Sequence, residues 1–108
     1  MDFDSGYLDT QAQSGLRVPF NLEAEQSVLG AVLLDSSCLP AVAEILPRAE
    51  FFYGETNRQV YGAVLDMFTL GQPVDIVTVL EKLREDGGFD QDTGKVYLAQ
   101  LVQIVPTI

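Results

Sequence analysis

Apolar residues recur three and four apart in five stretches of the chain, and helix-stopping residues separate the stretches. Val28, Leu29, Val32 and Leu33 form the first stripe, the spacing that gathers side chains on one face of an α-helix. Asn21 stands where that helix would begin, with a side-chain oxygen able to accept from an orphan first-turn amide. Glu23 and Glu25 follow, where the helix dipole favours negative charge. Gly30 and Ala31 are small enough to let another helix approach closely. Asp35-Ser36-Ser37 closes this element and opens the next, a short helix over 38–46. Leu39, Val42, Ala43 and Leu46 share one side of it, and Pro47 stops it.

Phe51-Phe52-Tyr53 comes next. Three adjacent aromatics cannot all face one way, so a turn or short helix is expected here, with some of the rings plugging the core. Thr56 is placed to cap a third helix over 57–70, with the stripe Val60, Tyr61, Val64, Leu65 and Phe68. Gly71 suits the left-handed residue after its end, and Pro73 enforces a break. Asp75 caps a fourth helix bearing Ile76, Val79, Leu80 and Leu83. The β-branched run from Val74 to Val79 also fits a strand, but the helical spacing from Leu80 to Glu85 favours helix. Residues Gly87 to Asp92 read as a loop. Thr93 or Gly94 then opens a last helix with Tyr97, Leu98, Leu101, Val102 and Val105, ended at Pro106. Residues 1–18 mix Asp, Ser, Gly and Gln without periodicity and read as a flexible tail. The pattern predicts an all-α fold over 19–108, a compact bundle of five to six short helices.

Composition narrows the function. Of 108 residues, sixteen are acidic and six basic, a formal net charge of −10. The basic residues are scattered through the chain, whereas gripping a nucleic-acid backbone needs them clustered. Tight, direct nucleic-acid binding is therefore not expected. The acidic surface suits either a basic protein partner or solubility alone. A single cysteine, Cys38, excludes an internal disulfide. The acidic start carries no secretory signal and no apolar run reaches bilayer length, so a cytoplasmic protein without a membrane partner is expected.

The chain has no histidine, which removes Ser-His-Asp and Cys-His nucleophiles and most zinc sites. Around Gly94-Lys95 the first glycine of a phosphate-binding loop stands one residue too far away, and Val96 replaces the hydroxyl that would meet magnesium. Paired carboxylates such as Glu23/Glu25 and Glu85/Asp86 sit at helix ends, where dipole and solvation explain them without catalysis. Tyr97 suits an interface or the core equally. An acid–base enzyme and a cryptic nucleotide binder are thus disfavoured, leaving a non-catalytic, partner-binding domain.

The segment from Pro19 through Asn21-Leu22-Glu23-Ala24-Glu25 and Val28-Leu29-Gly30 to Asp35 resembles the opening of the DnaB-type replicative helicases. Phe52-Tyr53, Gly71-Gln72-Pro73-Val74-Asp75 with Val77-Thr78, Tyr97-Leu98 with Leu101, and Val105-Pro106-Thr107 match that family's later motifs in order. The chain departs from the pattern at Asn57-Arg58, where the family often has a histidine, and at Thr93-Gly94, where it usually has two glycines. The resemblance implies the N-terminal collar of a ring-shaped hexamer whose ATP- and magnesium-dependent motor is a separate C-terminal domain. On this reading the fragment itself needs no cofactor and is not an enzyme. Its partners would be the primase C-terminal domain and other helicase subunits. Without the helical hairpin that follows in the family, it is expected to be a monomer or weak dimer. The resemblance implies Glu23 and Tyr97 as partner-binding residues, one a carboxylate for a basic group and the other an aromatic anchor. The alternative is a freestanding helical interaction module without a motor.

Overall fold

The computed structural model describes residues 21–87 and 89–104, so the expected tail over 1–18 and the expected stop at Pro106 lie outside the described residues. Five α-helices follow in order: α1 (Leu22–Leu34), α2 (Leu39–Ile45), α3 (Glu55–Thr69), α4 (Ile76–Glu85) and α5 (Gln91–Ile104). Single 3-10 turns precede α2 and α3, at Ser36–Cys38 and Ala49–Phe51. No strand occurs among the described residues, in keeping with the all-α expectation. Nor is any single helix among them long and apolar enough to cross a membrane.

Polar caps set most of the boundaries. Asn21 accepts from the Ala24 amide at 3.0 Å and starts α1 as expected. Asp35 ends it and at once caps the following turn, accepting from the Ser37 amide at 3.1 Å and the Ser37 hydroxyl at 2.6 Å. Those two bonds hold the Asp35 carboxyl below its usual pKa. The chain bends by 113° there between α1 and the segment Ser36–Ile45. Asp75 and Thr78 form a reciprocal capping box, which settles the β-branched run as helix. After α3, Gly71 takes φ +72°. Gln72 donates to the Met67 carbonyl and Gly71 to that of Phe68, so the last carbonyls of α3 are satisfied by a Schellman motif.

Three expectations need correction. Thr56 is not the cap of α3: the helix already includes Glu55, Gly54 holds the cap position in an extended conformation, and no side chain of α3 bonds there. Phe68 is not in the buried stripe. It is 39% exposed, whereas Ala63 and Met67 are buried, because α4 covers that flank of α3. The last helix begins at Gln91 rather than Thr93 or Gly94, since the Asp90 carboxylate accepts from both the amide and the hydroxyl of Thr93 and so recruits an extra turn.

The core lies where α1, α3 and α5 meet. Leu29, Val32, Val60, Val64, Leu98 and Leu101 are fully buried, and each such side chain contributes about 1.5–3 kcal/mol relative to exposure. α1 packs most extensively on α5, and α4 fills the angle between α3 and α5. The aromatic triplet divides as its adjacency requires: Phe52 is buried, while Phe51 and Tyr53 are exposed. Phe52 lies against Tyr61 with ring centroids 4.5 Å apart. The Tyr61 hydroxyl donates to the Leu46 carbonyl at 2.6 Å, tying α3 to the end of α2.

Candidate docking surface

The seam between α1 and α5 carries a chain of polar contacts that begins at Glu25. From the first turn of α1 this carboxylate accepts from the Tyr53 amide at 2.6 Å, the Gly54 amide at 3.2 Å and the Asn57 side-chain amide at 3.1 Å. Arg58 holds the same segment from the other side, donating to the Phe52 carbonyl at 3.2 Å and the Tyr53 carbonyl at 2.9 Å. The carboxylate takes its donors and the guanidinium its acceptors, so the stretch 52–54 is clamped from both sides. Charge-assisted bonds of this kind are stronger than neutral ones. Glu25 of α1 thus fixes the chain just before α3, where no side chain caps the helix itself.

Asn57 carries the chain inward. At 3% exposed it is the one buried polar or charged side chain, tyrosines aside, among the described residues. Its amide nitrogen faces Glu25, a carboxylate that can only accept, so its carbonyl oxygen faces the other way. There it accepts from the Tyr97 hydroxyl on α5. Having donated its proton, that hydroxyl accepts from the Gln26 side-chain amide of α1 at 3.3 Å. Every direction in the chain follows from the charge at its start.

Of the two candidate residues from the sequence, Tyr97 lies on this seam. Glu23 is exposed on the first turn of α1, one helical turn before Gln26 and so on the same face of the helix. Tyr97 is half-buried, which is neither of the two environments considered for it. Its hydroxyl points into the bundle, engaged by Asn57 and Gln26. Its ring helps to line a shallow, open depression with Asp92, Thr93, Val96 and Gln100. Val96 beside it is 58% exposed. The depression thus offers the ring and an apolar neighbour, with Asp92 also in its lining.

Sequence reasoning missed Glu25, Gln26, Asn57 and Arg58. Glu25 looks like any acidic first-turn residue, because its partners lie 28 to 32 residues away. Asn57 did leave a signal. It stands three, four and seven residues before Val60, Tyr61 and Val64, a polar residue in register with a buried stripe.

Residues 17–108 match the DnaB-like helicase N terminal domain family. The chain belongs to that family. It is 41% identical over 98 residues to the replicative DNA helicase DnaB of Treponema pallidum (strain Nichols), covering 91% of this chain and 22% of that protein. Against the replicative DNA helicase DnaB of Geobacillus stearothermophilus it is 40% identical over 89 residues, 82% of this chain and 19% of that protein. The chain therefore spans about a fifth of the length of these relatives. The crystal structure of the N-terminal domain of DnaB helicase from Mycobacterium tuberculosis superimposes with a TM-score of 0.71 at 40% identity, over 84% of this chain and 62% of that one. Within this DnaB-like head, Arg58 bonds the carbonyls of Phe52 and Tyr53 directly, while Asn57 beside it donates to Glu25.

Proposed function

We propose that this domain is a non-catalytic part of the collar of a ring-shaped replicative DNA helicase, where it serves subunit assembly and docks the C-terminal domain of primase. The observation that carries this reading is the match along residues 17–108 to the N-terminal domain of DnaB-like helicases. The outer face of α5 supports docking as its business: a half-buried tyrosine ring, an exposed valine and the acidic Asp92 line one open depression. Aromatic anchors bordered by charge are a common composition for protein interfaces. ATP, magnesium and unwinding belong, on this reading, to a separate motor domain of the parent, and the place of action is the cytoplasm. The fragment alone is a monomer or weak dimer.

The test is an NMR titration of the labelled 108-residue chain with the primase C-terminal domain of the same organism. Saturable shifts centred on Glu23, Val96 and Tyr97 are expected. Shifts centred instead on the groove between α3 and α4, around Val77 and Glu81, would keep the role and reject these residues. An absence of shifts at millimolar partner would reject docking by this chain.

A further inference from the structure

We infer that Asn57 is a positioning residue for the docking face: it ties the Tyr97 ring to the segment clamped by Glu25 and Arg58, so that the ring stands ready in one orientation. The inference rests on the docking reading above and goes beyond it, because Asn57 itself is buried and cannot touch a partner. Three observations support it. Asn57 presents its donor to Glu25 and its acceptor to Tyr97, so it bonds on both sides at once. The Tyr97 hydroxyl is engaged from two helices, by Asn57 of α3 and Gln26 of α1, which fixes the ring against rotation and tilt. The ring so held borders the open depression with Val96 and Gln100.

A tyrosine already fixed in its bound orientation loses less conformational freedom when a partner seats on it. Removing the tether leaves the ring in place as apolar surface but lets it sample other tilts. Affinity then falls although no residue in contact with the partner has changed. Asn57 stands one turn before Val60 on the same face of α3, so a core variant at Val60 perturbs the same helix without touching the tether.

The experiment measures the affinity of the 108-residue chain for the primase C-terminal domain in a double-mutant cycle of Asn57→Ala and Tyr97→Phe, with Val60→Ala as a stability control. Each variant of the cycle is expected to weaken binding about threefold to tenfold. The double variant should be no weaker than either single one, because both break the same bond. Val60→Ala should lower Tm and leave affinity unchanged. In the free chain, the Tyr97 ring resonances should shift and broaden in Asn57→Ala and stay put in Val60→Ala. Losses that multiply in the double variant would overturn the inference. So would an Asn57→Ala chain that binds as tightly as the unsubstituted one, and either result leaves docking itself intact. Binding that is absent in the unsubstituted chain overturns docking and the inference together. Should Asn57→Ala fail to fold, Asn57→Ser takes its place in the cycle, its shorter side chain being unable to bond Glu25 and Tyr97 at once, with the same expected non-additivity.

Discussion

Glu23 and Glu25 are two acidic residues in one helical turn, and the structure gives them very different weight. Replacing each by glutamine separates the clamp from the helix dipole. Both positions lie in the first turn of α1, so the loss of favourable dipole interaction is similar for the two, about 0.3–1 kcal/mol. Glu23 is exposed, and Glu23→Gln should cost no more than that. Glu25→Gln costs more, and its geometry says how much. One oxygen of Glu25 serves both Gly54 and Asn57, and the other serves the Tyr53 amide alone. Glutamine can turn its carbonyl toward the first pair, but its NH2 must then face the Tyr53 N–H, donor against donor. One charge-assisted bond is lost and two become neutral, together about 2–3 kcal/mol. Glu25→Ala leaves the Asn57 amide without its partner inside the bundle and should cost about 3–4 kcal/mol, as buried unsatisfied groups do. Urea unfolding at neutral pH, followed by circular dichroism, measures all three, and the slope with denaturant should stay constant. Equal costs for Glu23→Gln and Glu25→Gln would refute the clamp and reduce Glu25 to an ordinary first-turn acid.

Three further outcomes follow from particular atoms. A Cβ at Gly94 would stand 2.6 Å from Cδ2 of Phe89 and 3.3 Å from Cδ1 of Leu80; Gly94→Ala should therefore lower stability by about 1–2 kcal/mol in thermal unfolding, overpacking outweighing the gain in helix propensity. At Gly71 a Cβ meets nothing within 4 Å, so Gly71→Ala bears only the backbone cost of φ +72°, about 1–2 kcal/mol, and Gly71→Asn should recover part of it in the same assay. Asp35 and Tyr61 act at opposite ends of the pH scale. The Asp35 carboxyl is held below its usual pKa by its bonds to Ser37, so its contribution is present above about pH 4 and is lost as pH falls through the folded value. Burial pushes the Tyr61 hydroxyl upward, so its contribution is whole below about pH 10 and is lost as pH rises through the folded value. Asp35→Asn should flatten the acid limb of a stability–pH curve and Tyr61→Phe the alkaline limb.

Local chemistry was legible in the chain, and distant chemistry was not. Asn21, Asp75 and Gly71 announce their roles because a cap or a left-handed turn depends on residues within four positions. The all-α fold was legible for the same reason, helical periodicity being a short-range pattern. Thr56 misled because α3 already includes Glu55, and the chain leading into it is held by Glu25 on another helix, 29 residues before Gly54. The start of α5 was set too late because Asp90, among several loop-forming residues, carries the capping bonds. The environment of Tyr97 was not legible, because the inward turn of its hydroxyl depends on Asn57, 40 residues away.

The dominance of the α1–α5 pairing bears on how the chain comes to be folded. The two helices that rely most on each other stand some 70 residues apart, as the Gln26–Tyr97 bond shows. Helical proteins usually fold fast because their contacts are near in sequence, and a long-range closure slows the search. During synthesis the apolar face of α1 leaves the ribosome well before α5 exists to cover it, so completion of the fold waits on the last of its helices. Substitutions in α2, which lies off the main seam, should alter the folding rate little, whereas those in α5 should govern when the whole domain closes.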